Sequence, residues 1–147
     1  MKHSILKMVA AMAFAATTAP AEAGVPPLGT DVIVTVRGVA KAEGGLYVNL
    51  CRKPEFLTPK CYKALGRKVS KTGSYVVDFK DVEPGTYAVL AIHDVNGNRT
   101  LDRNGYGAPT EPSGVSGSGL VVGQLPEFDR SSFKVDTSIV HISLDLS

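Results

Sequence analysis

Tryptophan is absent from this chain of 147 residues, and cysteine occurs only twice. The first absence removes the commonest sugar-stacking side chain, so any stacking surface must come from five Tyr and five Phe. The second excludes a framework of several disulfides. Charge of either sign is also scarce, with 16 Lys and Arg against 14 Asp and Glu and no basic run. That balance argues against nucleic acid or an anionic membrane as the main partner. The partner classes that remain are a cell-envelope protein or a glycan. No apolar run reaches the roughly 20 residues of a membrane-spanning helix.

The longest apolar stretch, Met8 to Ala16, stands instead in a leader. Lys2 and Lys7 supply a basic start, and Ala21-Glu22-Ala23 forms an A-x-A cleavage site. This is the layout of a secretory signal peptide over residues 1–23. Residues 24–30, rich in Pro and Gly, read as a flexible lead-in, and residues 31–147 as one domain. The expected location is the periplasm or the medium outside a bacterium. A domain of this size buries roughly two-thirds of its unfolded surface, enough for a core of its own.

In an exported chain the even count of Cys51 and Cys61 favours a disulfide. The alternative is a pair of metal-binding thiolates, but no second Cys/His pair stands at zinc spacing. Closing the short loop CRKPEFLTPKC would stabilise the fold by about 2–3 kcal/mol.

The periodicity is that of strands. Asp31 to Arg37 alternates, with Val32, Val34 and Val36 on one side. Leu46, Val48 and Leu50 form a second stripe, and KAEGG between them predicts a hairpin. Lys63 to Lys71 suits either a helical turn or an edge strand. Tyr75, Val77 and Phe79 make the next inward stripe. In the turn DVEPG, Pro84 fixes φ and Gly85 is free to take positive φ. Thr86 to His93 is apolar on both faces, as a central strand requires. Gly114 to Gly119 reads as flexible and Leu120 to Val122 as a short strand. Phe128, Phe133 and Val135 are apolar anchors, and Ile139 to Leu146 is the closing strand. Six or seven strands and no helix predict an all-β, antiparallel Greek-key sandwich.

The densest chemistry lies between Asp94 and Asp102. Asp94, Asn96, Asn98 and Asp102 occupy positions 1, 3, 5 and 9 of a D-x-N-x-N-x-x-x-D loop, and the Thr100 carbonyl stands at position 7. That spacing suits a hard cation such as Ca²⁺. The competing reading is an Asx-rich turn in which the same side chains cap their own backbone. Glu111 is either a distal carboxylate ligand or another turn cap.

His93 beside Asp94 raises a hydrolase-like alternative, with His93 as base and a loop carboxylate beside it. Ser113, Ser116 and Ser118 follow, but without a nucleophile-elbow motif. The alternation puts His93 on the face of Tyr87, Val89 and Ala91, which suits a structural histidine. A third reading uses the 105–124 loop to bind glycans or peptides. Tyr62, Tyr75 and Tyr87 could line a sugar-binding face, although such tyrosines in sandwiches are mostly core or rim.

The run HDVNGNRTLDRNGYGAPTEPSGVS resembles the signature of a family of small exported bacterial proteins, the domain of unknown function 2141. The pattern there is roughly HD-x-N-x-NG-x-LD-x-N-x-x-G-x-P-x-E. His93, Asp94, Asn96, Asn98, Leu101, Asp102, Asn104, Gly107, Pro109 and Glu111 match it. PGTYAV before it and PEFDRSSFKV after it fit the same layout. The resemblance implies an immunoglobulin-like or prealbumin-like sandwich of about seven strands and no known reaction. The Asp94–Asp102 run is also similar to calcium loops in repeat domains of bacterial surface adhesins. One position departs: Arg99 stands where the family and EF-type calcium loops carry Gly. If positive φ is needed there, Arg costs on the order of 1 kcal/mol. The leading expectation is an exported, non-enzymatic structural or recognition module that binds Ca²⁺ weakly.

Overall fold

The computed structural model describes residues 29–119 and 123–147. The expected signal peptide, most of the lead-in and the short strand at 120–122 lie outside the described residues. The alternating segments become β1 (Thr30–Val39), β2 (Gly45–Cys51), β3 (Lys63–Lys68), β4 (Gly73–Val82) and β5 (Gly85–Asp94). They are followed by β6 (Ser113–Val115), the single turn α1 (Phe128–Ser131), β7 (Phe133–Val135) and β8 (Val140–Asp145). The strands form two sheets, ordered β4-β1-β8 and β3-β2-β5-β6, with β7 also paired to β5.

The expected sandwich forms, with eight strands among the described residues rather than about seven. Pairing is antiparallel except between β1 and β8, which run parallel from Val32↔Val140 to Arg37↔Asp145. The stripes read from the sequence are the core. Val32, Val34, Val36, Leu46, Val48 and Leu50 are all fully buried, and Tyr75, Val77, Phe79, Tyr87, Val89 and Ala91 pack with them. Each such aliphatic side chain contributes about 1.5–3 kcal/mol on leaving water.

Several local expectations are corrected. β1 and β2 are not a hairpin. They lie in different sheets, and the Ala40–Gly44 connection crosses from one layer to the other. The two stripes are therefore complementary across the sandwich instead of side by side. Lys63–Lys68 is the edge strand, not a helical turn. In the turn DVEPG the positive φ falls on Asp81, at +51° near the end of β4, and not on Gly85. Gly114 and Val115, the start of the stretch Gly114–Gly119 read as flexible, belong to β6, because Leu90, Ala91 and Ile92 of the central strand pair with Ser113–Val115. Two short helical turns also appear: α1, and a 3₁₀ turn over Lys53–Glu55.

Cys51 and Cys61 form the disulfide, with their Cα atoms 4.5 Å apart. Above it the Arg52 guanidinium lies 4.2 Å from the centre of the Tyr62 ring, which in turn stands 5.3 Å from that of Tyr87. The Tyr87 hydroxyl donates to the Glu83 carbonyl at 2.9 Å, and the Tyr75 hydroxyl donates to that of Lys71 at 3.0 Å. Both buried phenols thus pin a turn four residues upstream. Burial pushes the Tyr87 pKa up, which keeps its hydroxyl a donor. These tyrosines are core and rim, not an open sugar-binding face.

Candidate functional site

The central strand β5 carries the chain out of the core at His93 and Asp94, both 1% exposed. From there residues 95–112 loop out and return as β6. A long excursion of this kind must satisfy its own backbone, and here acidic and amide side chains do so. Asp94 Oδ1 accepts the backbone N–H groups of Gly97 at 2.7 Å and Asn98 at 3.1 Å, and Oδ2 accepts that of Arg99 at 2.7 Å. Gly97 and Arg99 take φ of +76° and +62° to allow this. Positive φ is therefore required at position 6 of the loop, where a calcium loop of the EF-hand type carries Gly for its sharp turn.

The next two side chains repeat the device. Asn96 Oδ1 accepts the N–H of Asn98 at 3.0 Å, and Asn98 Oδ1 accepts that of Thr100 at 2.8 Å. Their amide nitrogens converge on one carboxylate. Asn96 Nδ2 donates to Asp102 Oδ2 at 2.6 Å, and Asn98 Nδ2 reaches both Asp102 oxygens at 2.9 and 3.0 Å.

Of the five expected ligands, Asn96, Asn98 and Asp102 therefore meet. Asp94 turns its carboxylate under the loop backbone, and Thr100 contributes a backbone N–H. The Asx-turn reading describes these bonds. Among the described residues, no three His, Cys, Asp or Glu side chains are gathered closely enough to hold a metal ion.

Glu111 closes the loop. Its Oε1 accepts the Val95 N–H at 2.9 Å and its Oε2 the Asp102 N–H at 3.4 Å, while the Thr110 N–H donates to the Asp102 carbonyl at 2.8 Å. A buried carboxylate thus ties the start of the loop to its return. Beyond Asp102, Asn104 Oδ1 accepts the N–H groups of Tyr106 and Ala108 at 3.0 and 3.1 Å. That turn leaves Tyr106 98% exposed at its tip.

The histidine sits inside this frame. His93 Nε2 lies 2.8 Å from the Glu43 carbonyl oxygen, and its backbone N–H donates to the Pro112 carbonyl at 2.9 Å. It borders an open pocket of about 410 Å³, between the β1–β2 connection and the returning loop. Ser113 exchanges backbone hydrogen bonds with Ser147. The Ser116 hydroxyl is engaged at both ends, accepting the Val89 N–H at 2.9 Å and donating to the Ser131 carbonyl at 2.6 Å. Sequence reasoning missed this clamp. Its partners lie 27 and 15 residues away, and no local pattern announces them.

The loop geometry sits within a stretch shared with other proteins. The family model described as "uncharacterized protein conserved in bacteria" (DUF2141) matches residues 34–143. The chain belongs to that family. The match begins inside β1 and ends inside β8, so this family covers both sheets and the whole Asp94–Glu111 loop. No curated protein and no solved structure matches the chain.

Proposed function

We propose that this protein is an exported, non-enzymatic β-sandwich that serves as a structural or recognition module and takes Ca²⁺ weakly at the Asp94–Asp102 loop. The observation that carries the reading is the convergence of Asn96 and Asn98 on the Asp102 carboxylate, at 2.6 to 3.0 Å. Side chains with ligand spacing share one focus, on a backbone already bent at position 6. Asp94, Asn96, Asn98, Asp102 and the Thr100 carbonyl would hold the ion. Two features set the affinity low. The amides of Asn96 and Asn98 would have to give up their bonds to Asp102 in order to offer oxygen instead. Arg99 also brings a positive charge into the loop. Together they suggest the millimolar range of extracellular modules. Export is supported by the leader-like residues 1–23 and by the Cys51–Cys61 disulfide.

The non-enzymatic half rests on the engagement of Ser116 and His93. The Ser116 hydroxyl serves two backbone groups, and the His93 ring bonds through Nε2 to a backbone carbonyl. Recognition is favoured by Tyr106, a ring held out to solvent on a braced turn. Calorimetric titration of the purified mature domain with Ca²⁺ tests the metal. Heat of binding and a higher melting temperature are expected at several millimolar ion. No heat and no rise in melting temperature would remove the cation from the proposal.

A further inference from the structure

We infer that the open edge of β3 binds an extended acidic segment of another protein by adding it to the sheet as a further strand. The first observation is an edge without a neighbour. β3 stands at the end of its sheet and pairs with β2 alone among the described residues. Five of its six residues are exposed. Every second residue of such a strand turns its N–H and C=O away from the sheet, where a partner's backbone can meet them. Six residues span about 20 Å, enough to pair with a short extended peptide.

The second observation is charge. Residues 56–77 hold five Lys or Arg and no Asp or Glu, although the whole chain carries a formal net charge of only +2. The rest of the chain is therefore net acidic. The five cations, Lys60, Lys63, Arg67, Lys68 and Lys71, lie along β3 and at its two ends. None of them forms an ion pair among the described residues. Lys63 bonds instead to the carbonyls of Lys80 and Asp81. The other sheet edges differ. Lys80 on β4 is paired with Asp31 and Asp78, Asp145 on β8 is paired with Arg37, and β6 is tied through Ser113 to Ser147.

The cations stand on both faces of the strand. Lys63 and Arg67 lie opposite Leu50 and Leu46 on the core side, while Lys68 lies opposite Gly45 on the outer side. An added strand alternates its side chains in the same way, so acidic residues on either of its faces would meet a cation. The same charges disfavour a second copy of this chain, whose β3 would set like charges opposite one another. A polysaccharide or a lipid headgroup offers negative charge but no backbone N–H and C=O to match the ladder. An acidic strand satisfies both the charge and the edge.

This rests on the recognition half of the proposed function and not on calcium, so a chelator is present throughout the test. Backbone amide exchange of the purified protein is followed by NMR with three probes. They are an eight-residue peptide of Glu, Val and Thr, its fully N-methylated counterpart, and the same peptide with Lys in place of each Glu. Protection of alternate amides within Lys63–Lys68 is expected with the first peptide only, at an affinity that falls several-fold between about 50 and about 300 mM salt. Arg67→Glu combined with Lys68→Glu, both exposed changes, is expected to weaken the acidic peptide by about tenfold. The doubly reversed variant should let the Lys peptide protect the same amides, which a misfolded variant could not do. No new protection with the acidic peptide would overturn the proposal. Equal binding of the methylated peptide would overturn it by showing a site for polyanions in general, and equal binding of the Lys peptide by showing that charge does not select the partner. Self-association that protects the same amides without any peptide would overturn it as well.

Discussion

The Arg99 backbone N–H donates to Asp94 Oδ2 at 2.7 Å while Arg99 itself stands at φ +62°. The hydrogen bond and the strain belong to the same event: the chain bends left-handed so that the carboxylate can collect a third donor. A left-handed L-residue costs about 1–2 kcal/mol, and glycine at the same place costs about 0.5–1 kcal/mol in unfolded-state entropy. Arg99→Gly is therefore expected to stabilise the domain by roughly 0.5–1 kcal/mol. Asp94→Asn is expected to destabilise it by about 2 kcal/mol, since an amide nitrogen replaces one of the two charged oxygens that accept loop N–H groups. Urea unfolding of the two variants checks both signs.

Gly44 governs the other wall of the same region. Its φ is +73°, and an added Cβ would stand 2.0 Å from the Asp94 carbonyl oxygen. Backbone cannot retreat cheaply from such a contact, and Gly44 precedes the strand that lies beside β5. Gly44→Ala is expected to cost about 2–4 kcal/mol, through both the conformation and the clash. Gly97→Ala provides the contrast, because its φ is also positive but no atom lies within 4 Å of the added Cβ. It should cost only the left-handed strain, about 1 kcal/mol. A thermal melt that ranked the two the other way would contradict this account of the crossing.

The disulfide tethers the end of β2 to the approach of β3 across a separation of ten residues. Its loop also carries the Phe56 ring, 5.5 Å from that of Phe128, and Lys53, whose Nζ reaches Asp129 at 2.8 Å. Replacing both cysteines by Ala is expected to cost about 2–3 kcal/mol from chain entropy. Faster hydrogen exchange should then be confined to the loop and α1, leaving β1 and β5 protected at their former levels once the global loss is allowed for.

These elements differ in how far the sequence announced them. The stripes of β1, β2, β4 and β8 were legible because each turns alternate apolar side chains inward, and a period of two needs no partner to be seen; β5 was legible as a run apolar on both faces, bounded by a turn. β6 was not, since its three residues are strand only because β5 offers them its edge. The false hairpin has a related cause. Two adjacent stripes joined by a turn look alike whether they pair within a sheet or face one another across the core. In the loop, the Asx chemistry of Asp94, Asn96 and Asn98 is local and was readable from spacing. The roles of Glu111, Ser116 and Ser131 depend on where the chain returns, which spacing does not encode.

The parallel edge strand β8 supplies a prediction in pH. Arg37 Nε and Nη2 donate to the two Asp145 oxygens, each at 2.8 Å, across the last residue pair of β1 and β8. Those bonds, ahead of the simple charge attraction, hold the Asp145 carboxyl below its usual range. Lys80 lowers Asp31 in the same way at the start of β1. A carboxyl lowered in the folded state adds stability that is fully present above its unfolded value and disappears as pH falls through the folded one. Both pairs are at the surface, so each effect is small and shrinks with salt. In urea titrations from pH 6 to pH 2 at low salt, wild type is expected to lose more stability than Asp145→Asn. The gap between them should close at the acid end, where the Asp145 carboxyl is protonated in both states. A gap that stayed constant down to pH 2 would mean that the Asp145→Asn variant differs in packing alone, and that the fork from Arg37 does not secure β8.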